Sequence, residues 1–118
     1  MLGLLHRRLV KALGYSLRGL QAGCRHEEAF RVEVVLALFL VPLGLWLGEG
    51  GVEKVLLVGS VMVVMIVELL NSAIEAAIDR ISLEPAELSG RAKDLGSAAV
   101  FMSMMLAGFV WGLLLFCQ

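Results

Sequence analysis

Three apolar stretches decide which solvent this chain folds in. They run over residues 32–47, 52–67 and 95–116, and the third contains no charged residue. A helix needs about 20 mostly apolar residues to cross a bilayer. The first stretch is short and interrupted by Pro42, so Ala29 and Phe30 are expected to extend it. The competing possibility is that these segments form the core of a soluble domain. A chain of 118 residues that is 59% hydrophobic has too little interior for that. Soluble domains contain about 45–50% apolar residues. The bilayer is therefore the expected solvent, and three transmembrane helices are the expected frame.

The segment before the first span has a different character. Arg7, Arg8, Lys11, Arg18, Arg25 and Arg31 all precede residue 32, whereas only Lys54, Arg80, Arg91 and Lys93 follow. Leu5, Leu9, Ala12, Leu13, Leu17 and Leu20 recur at helical intervals and can share one stripe, with most of the cations off it. That pattern suits an amphipathic helix lying in the interface over residues 1–28. Gly3, Gly14, Gly19 and Gly23 work against it. A soluble amphipathic helix would show the same pattern, but the apolar stretches that follow favour the interface. The start lacks the continuous apolar core of a secretory signal.

The spans are expected at about residues 29–47, 52–81 and 94–117, in a single domain with no internal repeat. A tight turn at 48–51 and a longer polar loop at 82–90 containing Pro85 would connect them. Lys and Arg cluster at the N-terminal segment and in the second loop, so both are expected in the cytoplasm, with Cys117 and Gln118 outside. Cys24 and Cys117 would then sit near opposite faces, too far apart for a disulfide. Trp46 and Trp111, toward the outer ends of their spans, suit an interfacial belt. The net charge of −1 gives no electrostatic basis for a nucleic-acid partner.

The end of the second span carries the chemistry. Glu68, Asn71 (or Ser72), Glu75 and Asp79 recur at three- and four-residue steps and share a helix face. Carboxylates within a membrane cost several kcal/mol unless paired, hydrated or protonated, so such a stripe points to function. Asn and Ser alone would serve as glue between helices. Two glutamates and an aspartate are expensive glue. If Val52 marks the outer surface, Glu68 lies about 24 Å down and Glu75 about 34 Å down, at a rise of about 1.5 Å per residue. With a hydrocarbon core of about 30 Å, Glu68 is within reach of a lipid headgroup and Glu75 is at the inner boundary. A base at Glu68 and a metal ligand at Glu75 is the natural division of labour. Glu27 or Glu28 would complete a Mg²⁺ site, because this ion takes one or two carboxylates plus phosphate oxygens and water. Lys93 beside Asp94 can neutralise phosphate charge, or simply anchor the third span at the surface. The sequence contains neither a P-loop nor the protein-kinase signature set, so any nucleotide chemistry uses another frame.

The run Val61-Met62-Val63-Val64-Met65-Ile66-Val67-Glu68-Leu69-Leu70-Asn71-Ser72-Ala73-Ile74-Glu75 resembles the bacterial diacylglycerol kinase family of small integral-membrane enzymes. The resemblance continues through Asp79-Arg80-Ile81 and from Glu87 to Val100, with Gly14-Tyr15-Ser16 and Glu28-Ala29-Phe30-Arg31 also fitting. It implies a homotrimer in the bacterial inner membrane, with Mg-ATP-dependent phosphorylation of diacylglycerol to phosphatidic acid. Matched by motif, Glu68 is implied as the proton acceptor, and Glu27 and Glu75 as holders of metal and ATP. Arg8, Tyr15, Glu84, Pro85, Ala86, Lys93 and Asp94 are implied as nucleotide contacts. Arg8, Glu68 and Ser97 are implied as lipid contacts, with Asn71 and Asp79 in support. Three positions depart from the family pattern: the extra acid in His26-Glu27-Glu28, Leu17 in place of an aromatic, and Pro85. Small faces at Ser103, Ala107, Gly108 and Gly112 suit close helix packing, between chains or within one.

Two other readings compete. One is a polyprenol kinase acting on undecaprenol, although the stretch from Glu87 to Asp94 looks more like the diacylglycerol type. The other is a non-enzymatic oligomer, a scaffold or an ion conductor with the acidic stripe lining a pore.

Overall fold

The computed structural model describes residues 1–81 and 86–117. They form four α-helices, α1 over Leu2–His26, α2 over Glu28–Leu47, α3 over Gly50–Ile81 and α4 over Glu87–Phe116. The all-α expectation holds, and α2, α3 and α4 are each long and apolar enough to cross a membrane. At about 1.5 Å per residue, the 32 residues of α3 reach about 48 Å. That exceeds a hydrocarbon thickness of about 30 Å, so the helix extends beyond it.

Each helix has local causes. α2 runs on through Pro42 to Leu47 without the expected interruption. Helices within membranes tolerate proline where neighbouring groups satisfy the freed carbonyl. The turn into α3 needs a glycine at Gly50, whose φ of +85° disfavours any side chain. α4 begins at Glu87, well before the apolar stretch, so residues 87–90 of the expected polar loop are helix. The Arg91 guanidinium pairs with Glu87 one turn back at 3.3 Å, and Glu87 suits the positive end of the helix dipole. Glu84 and Pro85, expected to contact nucleotide, lie outside the described residues, as does Gln118.

α3 is the central element and packs on both α2 and α4, while α1 touches α2 more sparsely and is mostly exposed. Few side chains are fully enclosed: Phe30, Leu57, Val61 and Val64 form the apolar core. Within the most apolar window of each helix, only 11% of α2 and 6% of α4 is buried inside the chain. Leu38, Phe39, Phe101 and Phe109 point outward. Such faces are affordable in lipid or against another apolar chain, but not in water.

The two tryptophans near the span ends differ in their packing. Trp46 is 79% exposed, whereas Trp111 is half-buried. The Trp111 indole Nε1 donates to the Leu57 carbonyl of α3 at 3.1 Å. A Cβ on Gly44 would meet Leu57 at 3.1 Å and the Trp111 ring at 3.5 Å, so Trp111 clasps α4 to α3 close beside α2.

Candidate active site

The polar stripe of α3 turns toward the other two long helices. Glu68 is only 8% exposed. One turn further, the Asn71 amide Nδ2 donates to Glu75 Oε1 at 3.2 Å, which fixes the direction of that carboxylate. At the end of the helix Asp79 Oδ1 accepts from Lys93 Nζ at 2.9 Å, tying α3 to α4. The charges of Glu75 and Glu27 both act on Glu68, and Lys93 acts on Glu75 as well as on Asp79. The 3.6-residue repeat of α3 thus collects Glu68, Asn71, Glu75 and Asp79 on one face, where Glu27 joins them from the junction of α1 and α2 and Lys93 from α4.

Between Asn71 and Ser72 the choice is clear. Asn71 belongs to the acidic face, while Ser72 lines a cleft against α1. The Asn71 side-chain oxygen lies where a Cβ on Gly96 would have to sit, so glycine at 96 is what leaves room for the amide in this position. That oxygen is buried and has no partner among the described residues. Glu33 of α2, which the sequence shows only as an acid at the inner end of the first span, is also buried. Both its carboxylate oxygens lack a partner among the described residues, and its charge couples to Glu68. A glutamate inside an otherwise apolar span was the signal available for Glu33. Nothing local marks Gly96.

The cleft has a volume of about 740 Å³ and mostly apolar walls. Ser16 and Gly19 of α1 face Leu69, Ser72 and Ala76 of α3 across it, and Glu27 stands at its edge. Glu27 is half-buried, whereas Glu28 is exposed at the first position of α2. Of the two candidates, the structure brings Glu27 toward Glu68. Arg8 and Tyr15 remain exposed on α1, with the Arg18 guanidinium 4.8 Å from the centre of the Tyr15 ring. Asp94 and Ser97 are exposed on α4, and Ala86 is the residue just before it. Within a single chain these five residues are not drawn into the carboxylate cluster.

The fold and this cluster define a small helical protein with three helices of membrane-crossing length and a group of charged side chains gathered toward the ends of two of them. Comparison with known proteins is specific. The family model for prokaryotic diacylglycerol kinase matches residues 14–115. The chain is 51% identical to a diacylglycerol kinase of Haemophilus influenzae, over 97% of this chain and 95% of that protein. It is 54% identical to a diacylglycerol kinase of Escherichia coli K12, over 92% of this chain and 88% of the relative. A diacylglycerol kinase of Pseudomonas aeruginosa is 44% identical over 92% of this chain and 89% of its own length. The chain belongs to the prokaryotic diacylglycerol kinase family.

Proposed function

We propose that this protein is an ATP-dependent diacylglycerol kinase of the bacterial inner membrane, working as a homotrimer and making phosphatidic acid. The observation that carries the chemistry is Glu68, a carboxylate 8% exposed on a membrane-length helix, with Glu75 one face-repeat away. A buried acid in such a place is costly unless it works.

Glu68 accepts a hydrogen bond from the primary hydroxyl of the lipid and takes its proton as the oxygen attacks the γ-phosphorus. The bond from that phosphorus to the β–γ bridging oxygen breaks, and ADP leaves. Lys93, steered by Asp79, balances phosphate charge, while Asn71 keeps Glu75 aimed. Arg8, Tyr15, Asp94 and the residues around Ala86 surround the nucleotide, and Ser97 meets lipid.

The donor set fits Mg²⁺. Glu27 and Glu75 both press on Glu68 with like charge, which a cation beside them would relieve. No group of three or more His, Cys, Asp or Glu gathers into a metal site among the described residues. Two carboxylates with phosphate oxygens and water are what Mg²⁺ normally takes. Glu27 and Glu75 would hold it, and when bound it would neutralise charge on the transferring phosphoryl group.

The topology follows from charge. α1 has no acidic residue in its 25 positions and exposes Leu9, Leu13 and Leu20 together with its cations. It lies in the inner interface as an amphipathic surface helix, and the C-terminus is periplasmic. The bare faces of α2 and α4 pack against other copies, and the nucleotide residues left scattered in one chain converge between copies.

The test is transfer of radioactive phosphate from ATP into the lipid fraction by purified protein. Wild type labels diacylglycerol, and Glu68→Gln loses the activity while still assembling. Near-normal labelling by that variant sinks the assignment of Glu68 as the base.

A further inference from the structure

We infer that Arg31 is a positioning residue: it locks the elbow between α1 and α2 and thereby fixes where Glu27 stands. The elbow is one residue long. Glu27 alone separates α1 from α2, with φ −113° and ψ 107° between two helical stretches. Both of its peptide groups are used. Its N–H donates to the Gly23 carbonyl at 3.0 Å, closing α1, and its carbonyl accepts from Arg31 N at 3.1 Å, opening α2. A hinge of one residue is nonetheless free to swing unless side chains span it.

Arg31 spans it. From the first turn of α2 its Nη1 reaches back to the Arg25 carbonyl at 2.9 Å and the Cys24 carbonyl at 3.2 Å. These carbonyls end α1, where the helix dipole is negative and backbone oxygens lack helical partners. A guanidinium there satisfies them and adds a favourable charge. On the inner side the bend is filled. Phe30 is 1% exposed, and a Cβ added at Gly23 would meet its ring at 2.9 Å and Leu69 of α3 at 3.1 Å. Gly23 and Phe30 therefore close the elbow from within and Arg31 straps it from outside. Glu27, between them, is held at the edge of the cleft. This rests on the reading of Glu27 as a holder of metal and nucleotide.

The experiment uses the full chain in lipid with Arg31→Gln, Arg31→Lys and Glu27→Gln. The readouts are amide hydrogen exchange over residues 23–31, binding of Mn²⁺ in the presence of a non-hydrolysable ATP analogue, and the split between kcat and metal dependence. Arg31→Gln should speed exchange at Glu27 and Arg31 and raise the half-saturating metal concentration roughly three- to tenfold, the span of a lost hydrogen bond. Its rate at saturating metal should fall far less, and Arg31→Lys should restore part of the effect. Gly23→Ala opens the elbow from the opposite side and should reproduce the metal defect, which keeps the idea testable if Arg31→Gln folds poorly. Unchanged exchange in both elbow variants overturns the inference, as does faster exchange with wild-type Mn²⁺ binding. If Glu27→Gln leaves metal dependence alone, the ligand role of Glu27 fails, and exchange alone then decides whether Arg31 locks the bend.

Discussion

Lys93 Nζ lies 2.9 Å from Asp79 Oδ1, so the cation implied as a phosphate contact is held by an aspartate at the end of the neighbouring helix. Both side chains are about half exposed, so the pair contributes little to stability. On the proposed reading its value lies in aiming the ammonium toward Glu75 and the phosphate that arrives there. Asp79→Asn should therefore raise the KM for ATP several-fold while thermal stability stays close to wild type. Lys93→Ala should be worse for ATP use, since it removes the charge itself. Steady-state kinetics with varied ATP, beside a melting curve in detergent, checks both. Equal KM values in Asp79→Asn and wild type would deny Asp79 this role.

Gly96 predicts a steric defect with a specific remedy. A Cβ at this position would occupy the space of the Asn71 side-chain oxygen. Gly96→Ala should push the Asn71 amide out of its place and cost up to about 1–3 kcal/mol, the usual range for overpacking. Activity should fall with it, because Asn71 also orients Glu75. Combining Gly96→Ala with Asn71→Ala should recover stability, since the obstructing group is gone, but not activity. A double variant no more stable than Gly96→Ala would show that the clash lies elsewhere.

These relationships show what the sequence reveals and where it stops. The ladder Glu68, Asn71, Glu75, Asp79 is legible because helical periodicity is local, and so are the three long apolar helices. The partners across helices are not. Asp79 and Lys93 belong to different helices, and no spacing rule connects them. The contact between Asn71 and Gly96 depends on how closely two axes approach. Extending the polar loop to residue 90 missed that Leu88, Ala92 and the Glu87–Arg91 pair support a helix. The turn of the Trp111 indole toward Leu57 is hidden too, because a position near a span end carries no information about which way the ring turns.

Glu33 yields a prediction of opposite sign. Its carboxylate is buried near Glu68, and both oxygens lack partners among the described residues. A buried acid in this position is a liability to folding, whatever its contribution to turnover. Glu33→Gln keeps the shape, removes the charge and supplies two donors. It should raise the denaturant concentration needed to unfold the protein in detergent micelles, and activity should drop if the charge tunes Glu68. Lower resistance to unfolding in Glu33→Gln would mean that this acid has a stabilising partner in the assembled protein.

The Trp111–Leu57 clasp separates stability from catalysis. The indole donates to a backbone carbonyl of α3 that also accepts from Ser60 Oγ at 3.0 Å. This junction lies about three turns of α3 away from Glu68, at about 5.4 Å per turn. Trp111→Phe keeps most of the apolar ring and removes only the N–H. Hydrogen bonds between membrane helices contribute about 0.6 kcal/mol on average, so the loss should be of that order. Trp111→Ala should cost about 3–5 kcal/mol, the usual penalty for an emptied aromatic site, because it also uncovers Gly44 and the buried Leu57. At a temperature where every variant stays folded, both should transfer phosphate at close to the wild-type rate, with unchanged KM for ATP. Parallel unfolding and kinetic measurements decide the matter: a kcat defect in Trp111→Phe without a stability defect would place this junction in the working cycle rather than in the frame alone.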